Sequence, residues 1–217
     1  MNCNLEKEII SYCAPTLAGM KCGSLFRYYC KKEQGIKDIR DVNYKLNVKG
    51  IYIVPLKWEE EAVLIYVFRC KMLIEMLESE NNNNLLKKYG YENPQMGLCI
   101  RNLRIRINSS KTFPHEIGLF LGYPVEDVKG FIENKGENCV KCGAWKVYCN
   151  PEEKMHFFCK MKRCSARLER TVRISMAIRK IFTDDAECLY KVCRPVEHFN
   201  KRLYDLLKSE AKRSLGR

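Results

Sequence analysis

Reactive side chains concentrate in two stretches far apart in the sequence. The first, CAPTLAGMKCG, carries Cys13, Lys21 and Cys22; the second, FPHEIGLFLGYP, carries His115 beside Glu116. Histidine is an effective general base near neutral pH, and a thiol is a natural partner for it in a nucleophilic site. On this reading Cys13 is the nucleophile or redox thiol and His115 its base. Lys21 binds an anionic substrate group or lowers a nearby thiol pKa. Neighbouring residues of a helix point about 100° apart, so Glu116 orients His115 poorly and takes a separate role. A zinc protease needs H-E-x-x-H, and Leu119 stands where the second histidine belongs. The plainer alternative is packing. Glu116 then offsets the dipole of a helix start, His115 packs or caps, and Pro15 and Gly19 shape a buried corner.

The chain has 13 cysteines, an odd number at irregular spacing. Cys139-Val140-Lys141-Cys142-Gly143 has the form of a zinc half-site, with Cys149, Cys159 and Cys164 as further ligand candidates. Cys159 and Cys164 fall on a predicted helix about 140° apart, so one tetrahedral ion does not easily take both. The metal set expected is therefore Cys139, Cys142 and Cys149 with one helix cysteine, holding zinc or iron; the other reading is a set of free structural thiols. WKVY reads as a strand with Trp145 and Val147 on one face. Lys146 is on the other face, as a solvated residue or a substrate-binding one.

Lysine and arginine number 39 against 26 acids, a formal net charge of +13. Such a balance favours an acidic protein, a nucleic acid or another anionic partner. The cations with a pattern are Lys160, Arg163, Arg167 and Arg170, which follow one helix face. They form a nucleic-acid-binding stripe or an ordinary solvated face. No glycine-rich phosphate loop or dinucleotide fingerprint is present. The N-terminus MNCNLEKEII has charges where a signal peptide needs an apolar core, and AVLIYVF is too short to span a bilayer. With so many thiols, a cytoplasmic, reducing setting is expected.

These residues need a scaffold. Leu5 to Cys13 reads as a helix that Pro15 breaks, and Thr16 to Tyr29 as a turn and a second short helix. Ile36 to Leu46 is an amphipathic helix closed by Gly50. Gly50 to Leu56 and Ala62 to Phe68 are β-rich segments flanking an acidic turn, hence an antiparallel hairpin. Helices are expected over Lys71 to Leu77, Leu85 to Tyr89 and Met96 to Ile107, with Asn81 to Asn84 as a polar turn. Pro114 starts a short helix that Gly122 ends; Tyr123-Pro124 starts another, which Gly136 closes. Ala144 to Cys149 is a third strand. Asn150-Pro151-Glu152-Glu153 begins a long amphipathic helix with Phe158, Met161, Ser165, Leu168 and Val172 along its apolar face. A further helix is expected from Val196 to Ala211. The whole is α+β: a small, mostly antiparallel sheet of about three strands covered by helices, with a long C-terminal helix and helical tail. The expected division is a domain over 1–165 and a basic helical extension over 166–217.

CAPTLAGMK, FPHEIGLFLGYPVEDVKGFIEN and WKVY together resemble the bacterial family catalogued as domain of unknown function 3793, found mainly in clostridia and related anaerobes. The resemblance covers roughly Leu5 to Cys164. It implies a bacterial cytoplasmic protein in a redox or iron-related setting and carries no activity with it. Three functions are thus expected in competition. The first is a thiol- or metal-linked enzyme or accessory protein with a pocket near Cys13 and His115. The others are a basic adaptor for nucleic acid or an acidic protein, and a structural zinc protein.

Overall fold

A computed structural model of the chain describes residues 4–109 and 112–184, with side chains as far as Thr171. The chain divides into a compact unit, Met1–Thr171, and a second unit, Val172–Arg217. The helix expected from Val196 to Ala211 lies outside the described residues.

The sheet of the first unit has three antiparallel strands: β1 (Gly23–Tyr29), β2 (Ile51–Trp58) and β3 (Ala62–Arg69), in the order β1-β3-β2. The hairpin of β2 and β3 is the one expected. β1 is a correction, because a turn and a helix were expected over its residues. Phe26 and Tyr28 point inward while Arg27 and Tyr29 are exposed, the period of two that defines a half-buried strand.

Helices cover both faces. Against one face lie α1 (Asn4–Leu17) and α2 (Lys32–Leu46), enclosing Ile9, Cys13, Phe26, Ile53, Ile65 and Val67. Against the other lie α3 (Cys70–Glu78), α4 (Glu80–Lys87), α5 (Met96–Ser109), α6 (Ile117–Phe120) and α7 (Val125–Glu133), around Tyr66, Phe68, Leu73, Leu103 and Phe120. β3 alternates strictly between the two cores: Val63, Ile65 and Val67 face one, Leu64, Tyr66 and Phe68 the other. In β2 the register shifts between Pro55 and Lys57. That one-residue bulge turns Trp58 onto the face of Ile53, which simple alternation would deny it.

Local chemistry explains two further departures. Pro15 lies inside α1, which ends two residues later at Leu17. Arg69 Nε donates to the Thr16 carbonyl at 2.7 Å, beside the Gly19 amide, and its Nη2 to that of Leu17, so the helix end is capped from the sheet. The asparagine run expected as a turn is part of α4. Asn82 and Asn83 donate from their side chains to the Met76 and Leu77 carbonyls at the end of α3, at 3.0 and 3.3 Å. The two helices thereby join with no polar loop between them.

A small annex completes the unit. Two-residue strands β4 (Lys141–Cys142) and β5 (Lys146–Val147) pair with each other, a shorter element than the strand expected over Ala144 to Cys149. α8 (Pro151–Asp184) comes next in the chain and buries Phe158 and Met161 against Trp145 and Val147. Asn150 precedes it with φ 46°, a left-handed conformation that asparagine tolerates.

Candidate functional site

The stretch from Phe113 to Pro124 is a tight corner built on its own backbone. Ile117 N donates to the Pro114 carbonyl at 3.3 Å, and Tyr123 N to the Gly118 carbonyl at 2.9 Å. Gly122 has φ +78°, and a Cβ there would lie 2.9 Å from the Cys22 nitrogen, so glycine is required both for the turn and for the close approach. The corner turns Tyr123 onto Trp145, whose rings stack with centroids 4.8 Å apart.

Between this corner, α7 and β5 is a cavity of about 290 Å³. Phe113, Tyr123, Phe131 and Trp145 are its aromatic walls, with Pro114, Ile117 and Val128 between them. Two basic side chains reach it. The His115 ring is exposed and meets Phe131 edge-on at 5.1 Å. Lys146 Nζ lies 6.0 Å from the centre of the Phe131 ring and donates to the Gly136 carbonyl at 2.6 Å. No carboxylate pairs with Lys146 among the described residues.

Among the described residues, the one acid lining the cavity is Asp127, and it is fully engaged. Its Oδ2 accepts from Trp145 Nε1 at 2.8 Å and from Lys154 Nζ at 2.9 Å; its Oδ1 accepts from the Tyr148 and Cys149 amides at 2.8 and 3.3 Å. Burial by itself would raise the carboxyl pKa, but the Tyr148 amide, the Lys154 ammonium and the Trp145 indole together bring it below the usual value. Lys154 is the mirror case. Burial pulls its pKa down, and Cys149 and Asp127 more than restore it. Asp127 thus fixes the indole that forms one cavity wall.

Each residue singled out from the sequence has a definite place. Cys13 is fully buried in the core beneath α1, and burial pushes its thiol up to about 12, only partly opposed by Lys21 and Ser24. His115 precedes α6, whose apolar residues belong to the opposite core. Cys13 thus packs in one core and the helix after His115 in the other, and no hydrogen bond joins the two side chains among the described residues. Glu116 is also buried. It accepts from Arg106 Nε at 2.5 Å and Tyr91 OH at 3.2 Å. Lys21 is largely buried, which lowers its pKa against the opposing influence of Cys13 and Cys22, and its ammonium lies 5.5 Å from the centre of the Tyr123 ring. Cys22 donates its thiol proton to the Phe120 carbonyl at 3.1 Å, and burial raises it to about 11.

The cysteine set Cys139, Cys142 and Cys149 does not converge. Among the described residues, no three His, Cys, Asp or Glu side chains come together to hold a metal ion. Cys142 is exposed on β4, whereas Cys149 turns inward to Lys154. The ligand set expected for zinc or iron is therefore not gathered among the described residues. Lys160, Arg163, Arg167 and Arg170 are all exposed along α8. Asp127, Lys154 and Phe131 were missed from the sequence as site residues. Asp127 reads there as a dipole-compensating acid in the first turn of a helix, and nothing local announces that its partners come from 18 to 27 residues downstream.

Among the described residues, no helix is long and apolar enough to cross a membrane. The chain belongs to the family described as protein of unknown function (DUF3793), whose family model matches residues 9–182. The match runs past Cys164, so residues that looked foreign to the family, as far as 182, are part of it. No curated protein and no solved structure matches the chain.

Proposed function

We propose that the protein is a binding module for a small, flat, apolar molecule with an anionic end, held in the cavity between the Phe113–Pro124 corner, α7 and β5. The observation that supports this is the combination of four aromatic walls with basic groups as polar handles, in a space of about 290 Å³. Ligand cavities are mainly apolar, with a few placed polar groups that set orientation. Here the lining carboxylate, Asp127, is neutralised internally by Lys154, so the field left at the mouth is positive. The aromatic walls hold the ligand's apolar body, Lys146 meets its anionic group, and His115 closes the rim.

Calorimetric titration of the full chain with a panel of aromatic carboxylates, naphthoate among them, tests the proposal against their neutral alcohols. Saturable binding with Kd of about 1 mM or tighter is expected for at least one acid. Lys146→Met should weaken it roughly tenfold, about 1.4 kcal/mol, while sparing the neutral analogue. Phe131→Ala should weaken both. Absence of saturable binding across the panel sinks the reading.

A second reading rests on α8. Lys160, Arg163 and Arg167 line one shallow surface hollow with Cys164 and Leu168, a cationic face suited to a phosphate backbone or an acidic protein. Binding to generic RNA that falls with salt supports it. Retention of that binding after Arg163, Arg167 and Arg170 are changed to Glu rules it out.

A further inference from the structure

The two edges of the three-stranded sheet differ. β2 forms one edge, and side chains close it. Asn43 of α2 donates to the Ile53 carbonyl at 2.7 Å and accepts from the Ile53 amide at 2.9 Å, the two bonds a neighbouring strand would make. Pro55, two residues on, has no N–H to offer. Asn108 of α5 donates to the Leu56 carbonyl at 2.8 Å. Blocking of this kind keeps an edge from recruiting other strands.

β1 forms the other edge, and nothing comparable closes it among the described residues. Arg69 N donates to the Cys22 carbonyl and Cys30 N to that of Glu61, each at 2.9 Å. Both pairs continue the β1–β3 register. In an antiparallel ladder, bonded pairs alternate with non-bonded ones. Ser24, Phe26 and Tyr28 therefore direct their main-chain groups to β3, while Leu25, Arg27 and Tyr29 turn theirs away from it. Among the described residues, no hydrogen bond from outside the strand reaches the main chain of those three. The Arg27 and Tyr29 side chains are exposed as well.

The open stretch has two defined ends. A Cβ at Gly23 would lie 2.5 Å from the Phe120 carbonyl oxygen, so the end of α6 bounds the edge there. At the other end Lys31 is still extended, with φ −67° and ψ 147°, and its carbonyl accepts from Gly35 N as α2 begins. The stretch thus runs from Leu25 to Lys31, and Tyr28 is its midpoint.

We infer that β1 is a dimerisation strand, pairing antiparallel with β1 of a second copy about a two-fold axis at Tyr28 and joining the two sheets into one. Such an interface is self-complementary. Arg27 stands opposite Tyr29 of the second copy, and the two exchange both main-chain bonds. The Lys31 N–H reaches the Leu25 carbonyl. Charge and shape select this register. An axis at Arg27 would set two arginines directly opposite each other, which opposes pairing. An axis at Phe26 would press Tyr29 onto the closed Gly23 end. With the axis at Tyr28, each guanidinium meets a tyrosine ring, a contact that Arg27 already makes within its own strand at 5.4 Å. Glu59 also pairs with Arg27, so little uncompensated charge lies at the seam. The net charge of +13 on each copy acts at longer range, and physiological salt screens it beyond about 8 Å.

Sedimentation equilibrium of the full-length chain under reducing conditions, from about 1 to about 300 µM, tests this. A monomer–dimer equilibrium with a Kd on the order of 10 µM is expected. Hydrogen exchange of the peptide covering Leu25 to Lys31 should slow as the dimer fills, because the Arg27 and Tyr29 amides become bonded. Tyr29→Pro removes one of those amides where the monomer does not use it, and should weaken the dimer at least about tenfold. Tyr29→Lys leaves the backbone alone and sets a lysine opposite Arg27; the same loss is expected. A chain that stays monomeric throughout that range leaves the edge to a strand of another protein and overturns the inference. So does a dimer that both variants leave intact, or one that forms without slowing exchange between Leu25 and Lys31.

Discussion

Replacing Asp127 with Asn perturbs the group on which the annex most depends. The carboxylate receives four donors, from Trp145, Lys154, Tyr148 and Cys149. An asparagine keeps one acceptor for the two amides but turns an NH2 group toward the indole and the ammonium. Lys154 is then a buried, uncompensated cation. Breaking a buried pair from one side costs about 3–5 kcal/mol, and a donor left unsatisfied about 1–3 kcal/mol. The loss expected is therefore about 4 kcal/mol, measured by urea unfolding at pH 7 with circular dichroism. Adding Lys154→Met should return much of it, since the uncompensated cation is then gone and only the indole donor stays unmatched. The pH dependence has a defined sign. The folded Asp127 pKa lies below its unfolded value, so its contribution is complete above the ordinary carboxylate range and lost as pH falls through the folded pKa. The gap between wild type and Asp127→Asn should stay constant from about pH 7 to 5 and close below about pH 4. A gap under about 1 kcal/mol, or one that persists undiminished at pH 2, would refute the buried-pair account.

Three other outcomes are expected. Arg106→Met should destabilise by about 3 kcal/mol, because it leaves the buried Glu116 carboxylate with only Tyr91; thermal melts measure this. Gly130→Ala should disrupt the packing of α7 on the annex, since a Cβ there would lie 2.5 Å from the Tyr148 ring; a cost of about 1–3 kcal/mol in urea is the check. Cys13 should resist thiol reagents in the native chain and react only on unfolding, because its buried thiol is pushed up to about 12; rapid native labelling would contradict its placement.

Much of the architecture was legible because it is written in local patterns. The β2–β3 hairpin announces itself through two β-rich segments around an acidic turn, and α2 through its period; the expected closing Gly50, with φ +69°, instead ends a 3-10 turn over Asn47–Lys49 that follows the helix. The misses share a different cause. β1 alternates Phe26 and Tyr28 against Arg27 and Tyr29, but its seven residues sit beside a proline- and glycine-bearing corner that suggests a turn. The α4 asparagines read as a loop until the carbonyls at the end of α3 are there to receive them.

The site divides in the same way. Residue types alone eliminate a zinc protease and select His115, Lys146 and the CxxC cysteines as worth inspecting. Only packing decides that Cys13 and the helix after His115 belong to different cores, that Cys149 turns toward Lys154, and that Asp127 gathers Trp145, Tyr148 and Lys154 around one carboxylate. The reason is physical: periodicity and turn chemistry act over a few residues and can be read along the chain. A cavity wall or a buried ion pair is made by groups whose separation in sequence carries no information about their distance in space.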